Sequence, residues 1–477
     1  MGVEIDSSTF TADDAARFLE HLHRETDLLA AWFREGHFDE GPERAGYELE
    51  AWIVDRAMQP APLNQQLIER LGSPLVVPEL ACFNLEFNSQ PLELRDAVLR
   101  RMAAGLAAQW DSCREVAGQL DAQLLMIGIL PTVRESELNL GNMSPLKRYR
   151  ALNRQVLRQR HLRPLRLDIQ GRELLQTEHR DVMLESAATS FQIHLQVSAR
   201  EAARFYNAAT ILSAPMVAIS ANSPYLFGKD LWDETRIPLF EQSTAVDDDP
   251  DELALSRNRV TFGSGYMRDS LLPCFLENLD RYPVLLPLHT DADPALLQHL
   301  RLHNGTIWRW NRPLIGFSGN GLPHLRLEHR VVPAGPSVPD MIANAAFYFG
   351  LVHALARQDP APESLLDFEA ASANFYAAAR DGLRAEIFWL EGRQANVRTL
   401  ILESLLPLAH AGLDSLGLDA ADRDHYLGII EARAESGQNG AAWQRAWVAR
   451  HGPDMHKLTA AYLAHQASAK PVHGWSV

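Results

Sequence analysis

The stretch GYELEAWIV, residues 46–54, decides how the rest of the chain is read. Successive side chains of a strand point to opposite faces. Tyr47, Leu49, Ala51 and Ile53 therefore share one face, and Glu48 and Glu50 the other. Three further stretches alternate in the same way. In 82–88 (CFNLEFN), Phe83, Leu85 and Phe87 oppose Asn84, Glu86 and Asn88. In 190–197 (SFQIHLQV), Phe191, Ile193, Leu195 and Val197 oppose Gln192, His194 and Gln196. In 324–331 (HLRLEHRV), Leu325, Leu327, His329 and Val331 oppose Arg326, Glu328 and Arg330. Any one of these strands fits an antiparallel sheet with a wet face. Taken together, the four polar faces carry carboxylates, imidazole, carboxamides and guanidinium rather than the Thr, Ser and Lys of a solvated face. Carboxylates two apart on one face repel unless a cation lies between them. The four strands are expected to wall a cleft.

The contents of that cleft indicate its chemistry. Glu48, Glu50, Glu86 and Glu328 offer hard oxygen donors, which suit Mg²⁺ or Mn²⁺. His194 is either a nitrogen ligand to the same ion or a structural hydrogen-bonding group. Few histidines and no cysteine argue against zinc. Arg326 and Arg330 flank Glu328 on its own face, so cations for phosphate stand beside ligands for metal. Phosphoryl transfer needs that mixture. No GxxxxGK[ST] occurs, which excludes a P-loop, and GxSxG and HExxH are also absent. Residues 316–321 (GFSGNG) read as a loop rather than a dinucleotide fingerprint, and Trp308 and Trp310 as aromatic core or cleft wall.

Away from these strands, Thr11 caps a helix predicted over 11–35, and further helices are expected over 93–123, after Ser144-Pro145 and over 199–214. LLMIGIL (124–130) and GTIWRWNR (305–312) read as strands, residues 222–242 as a long loop, and Asp247–Glu252 as a solvated acidic linker. From about 338 onward the pattern is helical. The expected fold class is α+β, with a catalytic domain over 1–360 and a helical C-terminal region over 361–477 packed on it. The net charge of −16 and pI near 5.6 disfavour nucleic-acid partners but not a small anionic ligand. Three scattered cysteines, no apolar N-terminal segment and no apolar run of about 20 residues point to the cytoplasm and away from membranes. The apolar C-terminal helices allow either a homo-oligomer interface or an internal core.

These motifs resemble a known family. Gly46-x-Glu48-x-Glu50, Asn84-Leu85-Glu86-Phe87-Asn88 and Thr189-Ser190-Phe191-Gln192-Ile193-His194 are similar to the second type of bacterial glutamate–cysteine ligase, the carboxylate–amine ligases. NSPYLFGKDLWDETRIPLFEQ, HNGTIWRWNRP and HLRLEHRVVPAGPSVPD carry the same resemblance, over roughly residues 40–350. It implies a glutamine synthetase-like fold, a curved antiparallel sheet forming a funnel for Mg²⁺ ions and ATP. It further implies Glu48, Glu50, Glu86, His194 and Glu328 as metal ligands, and Glu328 and Arg330 as catalytic residues, with Arg330 on the transferred phosphoryl group. Arg326, Arg330 and Gln192 are expected on the nucleotide phosphates, and Arg236, Asn88 and Trp308 on the small-molecule substrate. The implied reaction is ATP-dependent amide formation through an acyl phosphate, with glutamate and cysteine or another amine as reactants. A guanidino-kinase-like phosphotransferase and a nucleotide-binding regulatory protein are the alternatives.

Overall fold

The computed structural model describes residues 8–245, 258–288 and 290–477; the acidic run at 247–252 lies outside them. Its centre is an eight-stranded antiparallel sheet. The strands are β1 (Arg44–Val54), β2 (Val76–Pro78), β3 (Asn84–Asn88), β4 (Leu92–Glu93), β5 (Gln123–Leu125), β6 (Phe191–Val197), β7 (Asn311–Phe317) and β8 (Pro323–His329). Their spatial order is β7-β8-β6-β1-β3-β2, and β4 and β5 pair with the two ends of β1. The sheet curls into a half-barrel. All four predicted strands belong to it, and four consecutive members of that order are those four.

Alternation sorts the faces as expected. Leu49, Ile53, Leu85, Phe87, Phe191, Ile193, Leu195, Leu325 and Leu327 are all buried on the convex side. Helices cover that side, chiefly Ala202–Ser220 and Val338–Ala356, each buried almost throughout. Burial of apolar area on this scale is the main force holding the sheet curled. His329 lies on this apolar side. It pairs with Asn311 at 2.7 Å and stacks on Tyr348, and burial lowers its pKa to about 3, so it is a neutral core residue.

Several boundaries differ from expectation. The helix at 12–35 starts where predicted, with Thr11 and Asp14 forming a capping box. Of the 124–130 stretch only Leu124 and Leu125 pair, in the strand Gln123–Leu125, because beyond Leu125 the chain leaves the edge of β1. The helix after Ser144 opens at Lys147 without a side-chain cap; the Ser144 hydroxyl instead donates to the carbonyl of Glu79. The helix expected over 199–214 runs on to Ser220 through Pro215. Residues 222–242 form a short hairpin followed by the helix Arg236–Ser243 rather than a loop. The 305–312 strand splits in two, and its second part continues to Phe317.

The C-terminal part is helical, apart from a small hairpin pairing Glu386–Phe388 with Gln394–Asn396. Helices Leu406–Ser415 and Ala420–Ser436 pack on Val338–Ala356, and Phe368–Asp381 packs on Ala202–Ser220. Among the described residues, Val338–Ala356 alone is long and apolar enough to cross a membrane, contrary to the expectation that none would be. It is 83% buried inside the protein, which marks it as a core helix.

Candidate active site

On the concave face, residues from neighbouring strands meet in register. His194 on β6 stands opposite Glu328 on β8 and opposite Gly46 on β1, with Glu48 two residues along. Glu50 stands opposite Glu86 on β3, and Glu48 opposite Asn88. Gly46 faces the same cleft. A Cβ there would come within 3.0 Å of the Ser89 hydroxyl, so glycine keeps this part of the floor open.

Glu48, His194 and Glu328 each offer a ligand atom, and these atoms lie within 4.8 Å of one another. His194 Nε2 is 3.3 Å from Glu48 and 3.8 Å from Glu328. Both imidazole nitrogens of His194 and Oε2 of Glu48 are buried with no hydrogen-bond partner. Buried polar atoms are seldom left so. A divalent cation would take one imidazole nitrogen of His194 and a Glu48 oxygen, and the hard-oxygen-plus-imidazole set suits Mg²⁺ or Mn²⁺. The residues present therefore fit the expected ion.

The carboxylates around this trio show the strain of lying together without a cation. Burial raises Glu50 to about 7, against the pull of Arg330, and Glu86 across from it adds to the rise. Burial and the nearby Glu48 and Glu79 push Glu86 well above the carboxylate range. Like charges directly opposite on a sheet repel, and desolvation adds to that cost. Glu328 behaves in the opposite way. Burial would raise it, but Arg312, Arg330 and His194 outweigh that and hold it ionised. Arg312 grips it with two bonds, 2.7 and 3.0 Å, and Arg330 adds a third at 3.0 Å.

Gln192 bridges the row, donating to Glu50 at 2.9 Å and accepting from Arg330. The backbone N–H of Ser190 also donates to Glu50, at 2.7 Å. Asn88 donates to Glu86 at 2.7 Å.

Two cavities open on this row. The wider, ≈ 620 Å³, is lined by Glu48, Asn88, His194, Gln196 and Arg326, by Arg44 and Arg301, and by the turn at 316–320. Neither Arg301 nor Arg326 forms an ion pair among the described residues, and burial together with Arg326 lowers the pKa of Arg301. Burial and Arg326 lower His324, in the same cavity, to about 4. Two arginines with no ion-pair partner in one cavity suit an anion.

The second cavity, ≈ 50 Å³, is lined by Glu50, Glu79, Glu185, Arg236, Phe240 and Arg330, among others. Arg236 is held at the start of its helix. Glu234 accepts its Nε at 3.2 Å, and the carbonyls of Arg330 and Val331 accept its Nη2 at 3.1 and 2.6 Å. Glu234 is fixed in turn by Asn222 and Ser223.

The fold thus brings together Glu48, Glu50, Glu86, His194, Glu328, Arg326, Arg330, Gln192 and Asn88, and sets Arg236 at the inner cavity. Trp308 lines neither cavity and packs on Phe240, with ring centroids 6.1 Å apart. Sequence reasoning missed Arg301, Arg312, Glu79 and Glu185. Arg312 ends the 305–312 stretch, where alternation alone leaves open which face meets the cleft; its place opposite Glu328 on β8 settles that. Glu79 and Glu185 sit outside regular strands, where no period marks them. Burial and Glu50 raise each of these two carboxyls to about 7.

The sequence model of glutamate–cysteine ligase family 2 matches residues 44–461, across the boundary expected near 360. Among solved structures, the glutamate–cysteine ligase of Francisella tularensis in complex with AMP is similar in fold. The two are 12% identical over 92% of this chain and 96% of that one, with a TM-score of 0.51. A bifunctional glutathione synthetase from Pasteurella multocida follows, with 11% identity, 94% and 55% coverage and a TM-score of 0.49. The ligase PafA in complex with the prokaryotic ubiquitin-like protein Pup gives 11%, 89% and 72%, and 0.39. No curated protein matches the sequence.

Proposed function

The chain belongs to glutamate–cysteine ligase family 2 and is an ATP-dependent carbon–nitrogen ligase, and from that premise we propose how its two cavities divide the reaction. ATP occupies the wider cavity, with its phosphates on Arg326 and Arg301. A carboxylate donor occupies the inner one. The observation that carries this reading is the placement of Glu48 and Glu50. They are neighbours on one face of β1, yet Glu48 lines the outer cavity and Glu50 the inner one. Residues i and i+2 of a strand are about 7 Å apart, a span suited to a phosphoryl group passing between two substrates. The row that separates ATP from the donor is the row of ligand candidates.

Glu48, His194 and Glu328, with Glu50 and Glu86, would hold Mg²⁺ there, and the bound ion supplies electrostatic stabilisation of phosphate charge. Arg330, positioned by Glu328 and Gln192, neutralises charge on the moving phosphoryl group. Among the described residues Arg236 Nη1 has no hydrogen-bond partner, and it takes a carboxylate of the donor. A donor with one carboxylate at Arg236 and a second at the ligand row is a dicarboxylate, and the acidic amino acid glutamate fits. Phosphorylation makes its carboxyl an electrophile. The amine then displaces phosphate and forms the amide. The protein contributes position and charge rather than a covalent nucleophile.

The test is incubation with ATP, Mg²⁺, glutamate and a panel of amines, following ADP, free phosphate and amide. Equal amounts of all three products are expected. A phosphorylated product without free phosphate would make the protein a phosphotransferase. Nucleotide binding without turnover of any amine would make it regulatory.

A further inference from the structure

The inner cavity holds one carboxylate that the reaction above does not use. Glu185 lies in the 3₁₀ turn Val182–Ala187, away from every strand. Its residue opens onto the cavity, while its Oε2 is sealed from solvent and has no hydrogen-bond partner. Among the described residues no Lys, Arg or His forms an ion pair with it. A carboxylate placed this way is costly unless a ligand brings a donor to it.

The cations of the same cavity are already committed. Arg330 gives Nη1 to Glu328 and Gln192, and under the proposed reading its remaining nitrogens receive the moving phosphoryl group. Arg236 gives two of its three nitrogens to Glu234 and to backbone carbonyls, and under the proposed reading its remaining edge receives the donor carboxylate. No guanidinium in the lining is left to receive a carboxylate on the second substrate. What remains is Glu185, an acceptor for positive charge, on the wall of an inner cavity of ≈ 50 Å³ that the donor carboxylate also enters, which leaves room beside it for a compact head group alone.

We infer that Glu185 anchors the amine acceptor, and that the acceptor is a small primary amine bound as its ammonium and carrying no carboxylate of its own. This rests on the ligase reading and narrows its second substrate. On attack, the ammonium gives one proton to Glu185, and the amine nitrogen bonds to the acyl carbon. The carbon–oxygen bond to phosphate breaks, and phosphate leaves with the electron pair and the second proton. Glu185 returns its proton to solvent.

The experiment compares two acceptors that differ only by a carboxylate, 2-aminoethanethiol and cysteine, with ATP, Mg²⁺ and glutamate. The wild-type protein should show kcat/KM at least about tenfold higher for 2-aminoethanethiol, because the carboxylate of cysteine would be desolvated there without a partner. Glu185→Gln should cut that ratio severalfold, and Glu185→Arg should turn it in favour of cysteine, with circular dichroism checking that each variant folds. The wild-type ratio decides the matter even if a variant misfolds. Preference for cysteine, or a ratio unchanged in folded Glu185→Gln, overturns the acceptor assignment and leaves the ligase reading standing. Amide from neither compound nor from any other amine overturns both.

Discussion

Glu328 shows how much depends on single residues here. It is both a ligand candidate and the partner of two buried guanidinium groups, Arg312 and Arg330. Replacing it by Ala would leave two buried charges unpaired, which costs about 3–5 kcal/mol in comparable cases, so loss of activity in that variant would mix chemistry with unfolding. Glu328→Gln keeps the shape and two of the contacts. It should lower turnover by at least about a hundredfold while thermal melting shows a folded protein; near-normal turnover would remove Glu328 from the site. Protons give a second test at this scale. Glu50 sits at about 7 and Glu86 is also raised without a cation, so Mg²⁺ must displace their protons as it binds. Calorimetric titration at pH 6 in buffers of different ionisation heat should show proton release, fading by about pH 9. Binding heats independent of buffer would contradict the assignment. Strand alternation alone identified most of this row, because a buried polar face on a strand has a period of two. Arg312 was legible up to the choice between two strand faces. Glu79 and Glu185 were not, since they lie on irregular backbone and only three-dimensional closure brings them to the cavity.

Among the elements, strands were easier to find than their ends. β1, β3, β6 and β8 alternate cleanly because each has one side against the core. The helix Arg236–Ser243 was hidden in a stretch read as loop, since its burial on nearly all sides erases any amphipathic period. Ser144 looked like an N-cap, but the nearby Glu79 carbonyl accepts its hydroxyl. The C-terminal helices are tied to the core by the buried pair Arg433–Asp340 at 2.8 Å, with Asn344 accepting from the same guanidinium at 2.6 Å. Arg433→Ala should destabilise the protein by about 3–5 kcal/mol, read as a lower denaturant midpoint. Two helices also cross closely at Gly350 and Gly412. A Cβ at Gly350 would lie 2.3 Å from the carbonyl oxygen of Ala409. Gly350→Ala should therefore destabilise by about 1–3 kcal/mol or more, although a glycine-to-alanine change in a helix usually stabilises it. An unchanged midpoint would refute that packing.

At the scale of the molecule, the α+β class, the polar-faced antiparallel sheet and the helical C-terminal part were all legible. C-terminal helices pack on Val338–Ala356, and the family match runs on to residue 461. The site also leaves a mark on global stability. Glu50, Glu79 and Glu185 have folded pKa values near 7 against an ordinary 4.5. Between those values the folded state holds protons that the unfolded chain has released, so stability falls as pH rises from about 4.5 to 7. Metal-free protein should show that decline in denaturant melts, and saturating Mg²⁺ should shrink it; a metal-free protein that gains stability over this range would contradict the burial of these carboxyls. The most direct test of the acyl-phosphate mechanism is to follow one oxygen atom. With glutamate carrying heavy oxygen in its side-chain carboxylate, each amide formed should be matched by one labelled oxygen in the released phosphate. Amide formed alongside unlabelled phosphate would mean that the carboxylate is never phosphorylated, and the account would fail.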